Sequence, residues 1–147
     1  MRQGRSEEAL ALSRLQLPPQ FAKSDSAVWR QLTQGSALTY LEKYPEAEST
    51  LLSAQSLAAS FQPQLSGEVL LRLGTLSSLQ WNLDAANSYF VQCLQFAQRD
   101  ADHFLEASAL GSLGVVSARM GHYGESTDWN TKALELDRSQ GLSSLVT

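Results

Sequence analysis

At 147 residues the chain is long enough for one domain with an extended core, and its apolar share of 43% is ordinary for a soluble protein. A net charge of −4 argues against a nucleic-acid or anionic-membrane partner, both of which favour a basic face. No apolar run approaches the roughly 18 residues of a membrane span, and the N-terminus lacks the charged-then-apolar layout of a signal peptide. The single cysteine excludes an internal disulfide framework and fits a reducing, cytoplasmic compartment.

In chain order, Ser6-Glu7-Glu8 reads as a helix start with a capping oxygen and acids in the first turn, and Pro18-Pro19 as its stop. A second helix begins near Ser24-Asp25-Ser26 and carries Val28, Leu32, Gly35 and Leu38 down one face. Tyr44-Pro45-Glu46-Ala47 opens its partner, with proline where the first helical N–H lacks an acceptor anyway. That partner runs through Leu51, Ala54 and Leu57 toward Ser60, and Pro63 lies in the following link. The next pair starts near Ser66, turns at Trp81-Asn82-Leu83-Asp84, and continues through Ala86, Phe90, Cys93 and Ala97. Asp100-Ala101-Asp102 offers caps for the last pair, which turns at Gly121-His122-Tyr123-Gly124 and is expected to stop at Gly141.

Small residues recur at a fixed step. Gly35, Gly74 and Gly114 stand 39 and 40 residues apart, and so do Ala54, Cys93 and Ala133, and Ala47, Ala86 and Ser126. A shared period across several positions marks a helical repeat array, because one helix pair cannot bury all its apolar surface and needs neighbours. A mid-helix glycine costs about 1 kcal/mol relative to alanine. Three at one phase therefore point to close helix–helix approach, with Ala47, Ala86 and Ser126 expected to supply the facing small surface. Leucine at Gly74 or Gly114 is expected to overpack the pair by ~1–3 kcal/mol. On this period the units are residues 1–19 (second helix of a truncated repeat), 24–63, 64–100, 101–141 and 142–147 (start of a further truncated repeat).

The pattern resembles the tetratricopeptide repeat, whose loose signature is W-x2-L-G-x2-Y, A, F, A, P. Leu110, Leu113, Gly114, Tyr123, Ser126 and Ala133 match it in the last repeat; Leu70, Leu73, Gly74, Leu83, Ala86, Phe90 and Cys93 do so in the middle one. The first full repeat fits at Gly35, Tyr44, Ala47, Leu51 and Ala54, but Gln31 and Gln34 stand where apolar residues are usual. Asn130 departs at the bulky second-helix position, and Ala59, Gln98 and Arg138 replace the closing proline. The resemblance implies an all-α, right-handed solenoid of stacked antiparallel hairpins.

Chemistry-bearing motifs are sparse. There is no G-x4-G-K-[ST] loop, no G-x-G-x-x-G and no G-x-S-x-G elbow. His103 and His122 have neither the spacing nor the cysteine companions of a zinc site. Cys93, at the small position of a packed helix, reads as a buried hydrophobe rather than a nucleophile. Trp29, Trp81 and Trp129 read as packing or loop anchors rather than a base-stacking set. Neither a catalytic residue nor a cofactor or metal site is expected.

The function expected is protein–protein interaction, as a scaffold within a larger protein, in preference to a nucleic-acid-reading helical repeat or the regulatory part of an enzyme. The resemblance places the binding groove on first-helix positions. In this chain these are Leu32, Ser36, Thr39 and Tyr40, then Glu68, Leu71, Arg72, Thr75 and Leu79, then Ser108, Gly111, Ser112, Val115 and Arg119. Related arrays that grip a C-terminal carboxylate use lysine, asparagine and arginine there. Here Leu32, Leu71, Gly111, Ser36, Thr75 and Val115 stand in place of the lysine and asparagine, so no such clamp is expected. A protein or peptide segment, in cis or in trans, is the expected occupant. Apolar residues at the two ends, Leu10, Leu12 and Leu15, and Leu134, Leu136, Leu142 and Leu145, raise the further expectation of end-to-end self-association.

Overall fold

Four helix ends of this chain close in one way, and that repetition sets the architecture. The computed structural model describes Glu7 and residues 25–146, with the side chains of residues 27–141 and of Glu7. Among the described residues there are six α-helices and no strand: α1 (Asp25–Tyr40), α2 (Tyr44–Phe61), α3 (Ser66–Leu79), α4 (Leu83–Arg99), α5 (His103–Arg119) and α6 (Tyr123–Val146). A 3-10 turn, Pro63–Leu65, lies between α2 and α3. The helix expected before Pro18-Pro19 falls outside the described residues, apart from the helical Glu7.

After α1, α3, α4 and α5 the chain passes through one residue of positive φ: Glu42 (60°), Trp81 (59°), Ala101 (53°) and Gly121 (82°). In each case that residue's N–H bonds back three residues and the next N–H bonds back five, as in Glu42 N to Thr39 O (3.1 Å) and Lys43 N to Leu38 O (2.9 Å). These are Schellman closures, which satisfy helix-end carbonyls at the cost of one left-handed residue. Three of the four lack glycine, and a side chain in that conformation costs about 1–2 kcal/mol. Glu42 is exposed at such a position. Glu42→Gly is expected to stabilise the protein by about 1 kcal/mol, raising Tm by roughly 3 °C in a thermal melt.

Helix starts follow the sequence as read. Pro45 occupies the first turn of α2, and Asp102 caps α5 by accepting a hydrogen bond from Leu105 N at 3.0 Å. Gly141 does not stop α6, which continues to Val146. A glycine ends a helix when it takes the left-handed conformation. Among the described glycines only Gly121 has positive φ, and a right-handed mid-helix glycine costs only about 1 kcal/mol.

Helices joined by so short a link and packed together run antiparallel. The pairs α1/α2, α3/α4 and α5/α6 pack closely; α2 also meets α3, α4 meets α5, and α3 touches both α1 and α5. One half of the core gathers Val28, Leu32, Leu51, Ala54, Val69 and Leu73, and the other gathers Leu70, Phe90, Cys93, Leu110, Leu113 and Val116. Leu70 and Leu73 lie on opposite sides of this division although both belong to α3. Burying each such leucine contributes about 1.5–3 kcal/mol.

The same-phase glycines mark close approach, but the side chains facing them are not the small ones. A Cβ on Gly35 would lie 2.5 Å from Leu51 Cδ2, one on Gly74 2.5 Å from Phe90 Cε1, and one on Gly114 against the amide of Asn130. The partner in each pair is therefore the bulky second-helix position, four residues beyond Ala47, Ala86 and Ser126. Of the small positions, Ser126 interacts directly, donating to Gly114 O at 2.8 Å. On α6, Trp129, Ala133 and Leu136 rest against the core, so Leu136 has cover within the chain, whereas Leu134 is 58% exposed. Leu10, Leu12, Leu15, Leu142 and Leu145 are not among the described side chains.

Candidate functional site

Side chains of α1, α3 and α5, with Phe90 of α4, line two adjoining basins. The smaller, of about 310 Å3, lies between α1 and α3 and is lined by Ser36, Thr39, Tyr40, Glu68, Leu71, Arg72, Thr75 and Leu79, with Phe104 of α5 at its edge. The larger, of about 600 Å3, lies between α3 and α5 and is lined by Thr75, Ser78, Leu79, Phe90, Ala107, Ser108, Gly111, Ser112, Val115 and Arg119. Thr75 and Leu79 belong to both, so the basins meet over one face of α3.

Thirteen of the fourteen residues assigned to a groove from the sequence line these basins. Leu32 does not. It is 1% exposed and packs with Val28 and Leu51 in the core, where burial of an aliphatic side chain is favoured over a place in the groove. Its counterparts by period, Leu71 and Gly111, are partly exposed. Thr39 borders the smaller basin but is 8% exposed, and its hydroxyl donates to Gly35 O at 2.8 Å. Phe104, Ser78, Ala107 and Phe90 were not anticipated. For Phe104 the signal was present, since 104, 108, 111 and 115 fall on one helical face. It is 84% exposed, at the first turn of α5.

The two groove arginines are held rather than free. Arg72 donates from Nη1 to Ser36 Oγ (2.7 Å) and from Nη2 to Glu68 Oε1 (3.0 Å), crossing from α3 to α1. Arg119 donates from Nη1 to Ser78 Oγ (2.8 Å) and to Ser78 O (3.3 Å), crossing from α5 to α3. Its guanidinium lies over the Trp81 ring, 5.1 Å from the centroid. Such contacts at partly exposed sites contribute at most about 1 kcal/mol each. Their effect here is orientation: both cations are set at the groove wall with rotamers restrained.

No protein-family model matches the chain, and no curated protein shows significant similarity to it.

Away from the groove, Cys93 is 0% exposed and its thiol is pushed up to about 12, first by burial and then by the negative charges of Glu68 and Asp102. At neutral pH it is a protonated, enclosed thiol, which gives it the character of a small hydrophobe. His103 faces Glu106 at 3.8 Å and His122 faces Glu125 at 3.6 Å, both as neighbours on a helix surface. No group of three or more His, Cys, Asp or Glu among the described residues is placed to hold a metal ion. The three tryptophans are dispersed on α1, the α3–α4 turn and α6, and two of them are covered by cations of the chain, Trp81 by Arg119 and Trp129 by Lys132 at 4.8 Å. Among the described residues no helix is long and apolar enough to cross a membrane.

Proposed function

We propose that this chain is a tetratricopeptide-like repeat scaffold whose groove over α1, α3 and α5 binds a protein segment, either an amphipathic helix or an extended stretch. The single observation that carries this reading is the pair of adjoining basins over the first helices, lined by thirteen of the residues that the family resemblance implies for a groove. The recurrence of a glycine contact and a left-handed closure in each helix pair supports a stacked, right-handed solenoid as the architecture. Such arrays present an extended binding surface on one side.

The composition of the groove fits a protein ligand. Leu71, Leu79 and Val115 supply apolar area, Tyr40 and Phe104 stand exposed beside the smaller basin, and hydroxyls line the remainder. Apolar anchors ringed by restrained polar groups are the pattern of helix-in-groove and strand-like peptide recognition.

Wild type, Leu71→Glu and Tyr40→Ala are to be compared as bait proteins of equal helicity by circular dichroism. A charge at Leu71 desolvates against an apolar partner, so Leu71→Glu is expected to weaken partner recovery by about tenfold or more. If both folded variants recover the same partners at the same strength as wild type, the groove is not the binding site.

A further inference from the structure

Gly111 lies in the middle of α5, where glycine costs about 1 kcal/mol relative to alanine. Unlike Gly35, Gly74 and Gly114, it has no packing reason among the described residues, where a Cβ placed there meets nothing within 4 Å. The space it leaves open belongs to the larger basin. A missing side chain at such a point lets the backbone of a ligand come close to the helix.

The chemistry of the same basin is one-sided. On a chain of net charge −4, Arg119 is the single charged residue among those lining it, and no carboxylate among the described residues pairs with that guanidinium. Arg72, in the smaller basin, is already neutralised by Glu68. Arg119 spends Nη1 on Ser78 and keeps its other N–H donors. Thr75 and Ser108 use their hydroxyl protons on Leu71 O (2.9 Å) and Phe104 O (3.1 Å), which leaves oxygen lone pairs to accept from a ligand N–H.

We propose that the larger basin seats an acidic peptide segment whose main chain passes over Gly111 while one of its carboxylate side chains pairs with Arg119. The inference rests on the groove reading above and adds the chemistry of the occupant. Residues 111 and 119 are about 12 Å apart along the helix axis. An extended chain covers that in three to four residues, which fixes the spacing between the closest approach and the acid. An aspartate or glutamate inside the segment meets this need, and a free C-terminus is not required.

The test is a random peptide library displayed on phage and selected against the whole chain, followed by affinity measurements on the recovered peptides. The expected result is enrichment of peptides with an internal acidic residue. Arg119→Gln binds them about tenfold more weakly and selects no acid, whereas Arg119→Lys keeps the preference. Gly111→Leu keeps wild-type helicity and an unchanged or raised Tm but loses the peptides by tenfold or more, because its side chain fills the basin without touching the core. Peptides selected without acidic preference, or bound equally by wild type, Arg119→Gln and Gly111→Leu, overturn the inference. The groove reading survives that result if Leu71→Glu still abolishes binding. A library that yields no enriched peptide overturns both.

Discussion

Gly74→Leu is expected to be the most damaging single substitution among the three same-phase glycines, lowering stability by about 2–3 kcal/mol and Tm by roughly 6 °C or more. The Phe90 ring is 2% exposed, and its Cε1, Cδ1 and Cζ would lie 2.5, 2.7 and 2.9 Å from the new Cβ, so the whole buried ring must shift. The helix-propensity gain of about 1 kcal/mol over glycine offsets only part of this. Phe90→Ala alone should cost about 3–5 kcal/mol, and combining the two should recover part of both losses, since the added leucine occupies space the ring vacates. Gly114 behaves differently. Its would-be Cβ meets the amide end of Asn130, an exposed side chain that can rotate away. Gly114→Ala should then be neutral or stabilising by up to about 1 kcal/mol, and urea melts of the series decide it. A Gly74→Leu variant as stable as wild type would show that the α3–α4 approach is not tight.

Stability is also expected to fall in alkali through Cys93 by an amount that is large for one thiol. Its pKa is raised from 9.0 to about 12 by burial, with Glu68 and Asp102 adding to the effect. The folded state thus holds its proton more tightly than the unfolded chain does. The contribution is fully present below pH 9, declines by about 1.4 kcal/mol per pH unit above it, and amounts to ~4 kcal/mol lost by pH 12. Tyrosine and lysine titrate in the same window, so the readout is the difference between wild type and Cys93→Ala in denaturant melts from pH 9 to 11. The wild-type curve should fall more steeply. At neutral pH the same enclosure makes alkylation of Cys93 require opening of the α3–α4 core. Its iodoacetamide labelling rate should therefore rise with urea in step with unfolding. Rapid labelling of the native protein, or parallel pH curves, would contradict the enclosed thiol.

Much of this architecture could be read from residue order because it depends on local backbone geometry. Apolar spacing of three and four residues defined the five helices from α1 to α5 and most of α6, and the two turns read from the sequence hold Trp81 and Gly121, which adopt positive φ. The family resemblance, carried over residue by residue, named thirteen of the basin residues, and they share faces because side chains three, four and seven apart lie on one side of a helix. What the chain order could not supply was the identity of each contact across helices. Gly35, Gly74 and Gly114 look equivalent in sequence, yet they face Leu51, Phe90 and Asn130, two buried walls and one movable amide. Arg72 and Arg119 are likewise both arginines of a first helix, but among the described residues only Arg72 pairs with a carboxylate. Leu32 entered the core while its counterpart Leu71 stayed at the groove, and Gly111 opened space that no neighbour fills. These differences arise from helix rotation, interaxial distance and the rotamers that packing selects. Such quantities are settled only when separate segments meet, because each depends on atoms far apart in the chain.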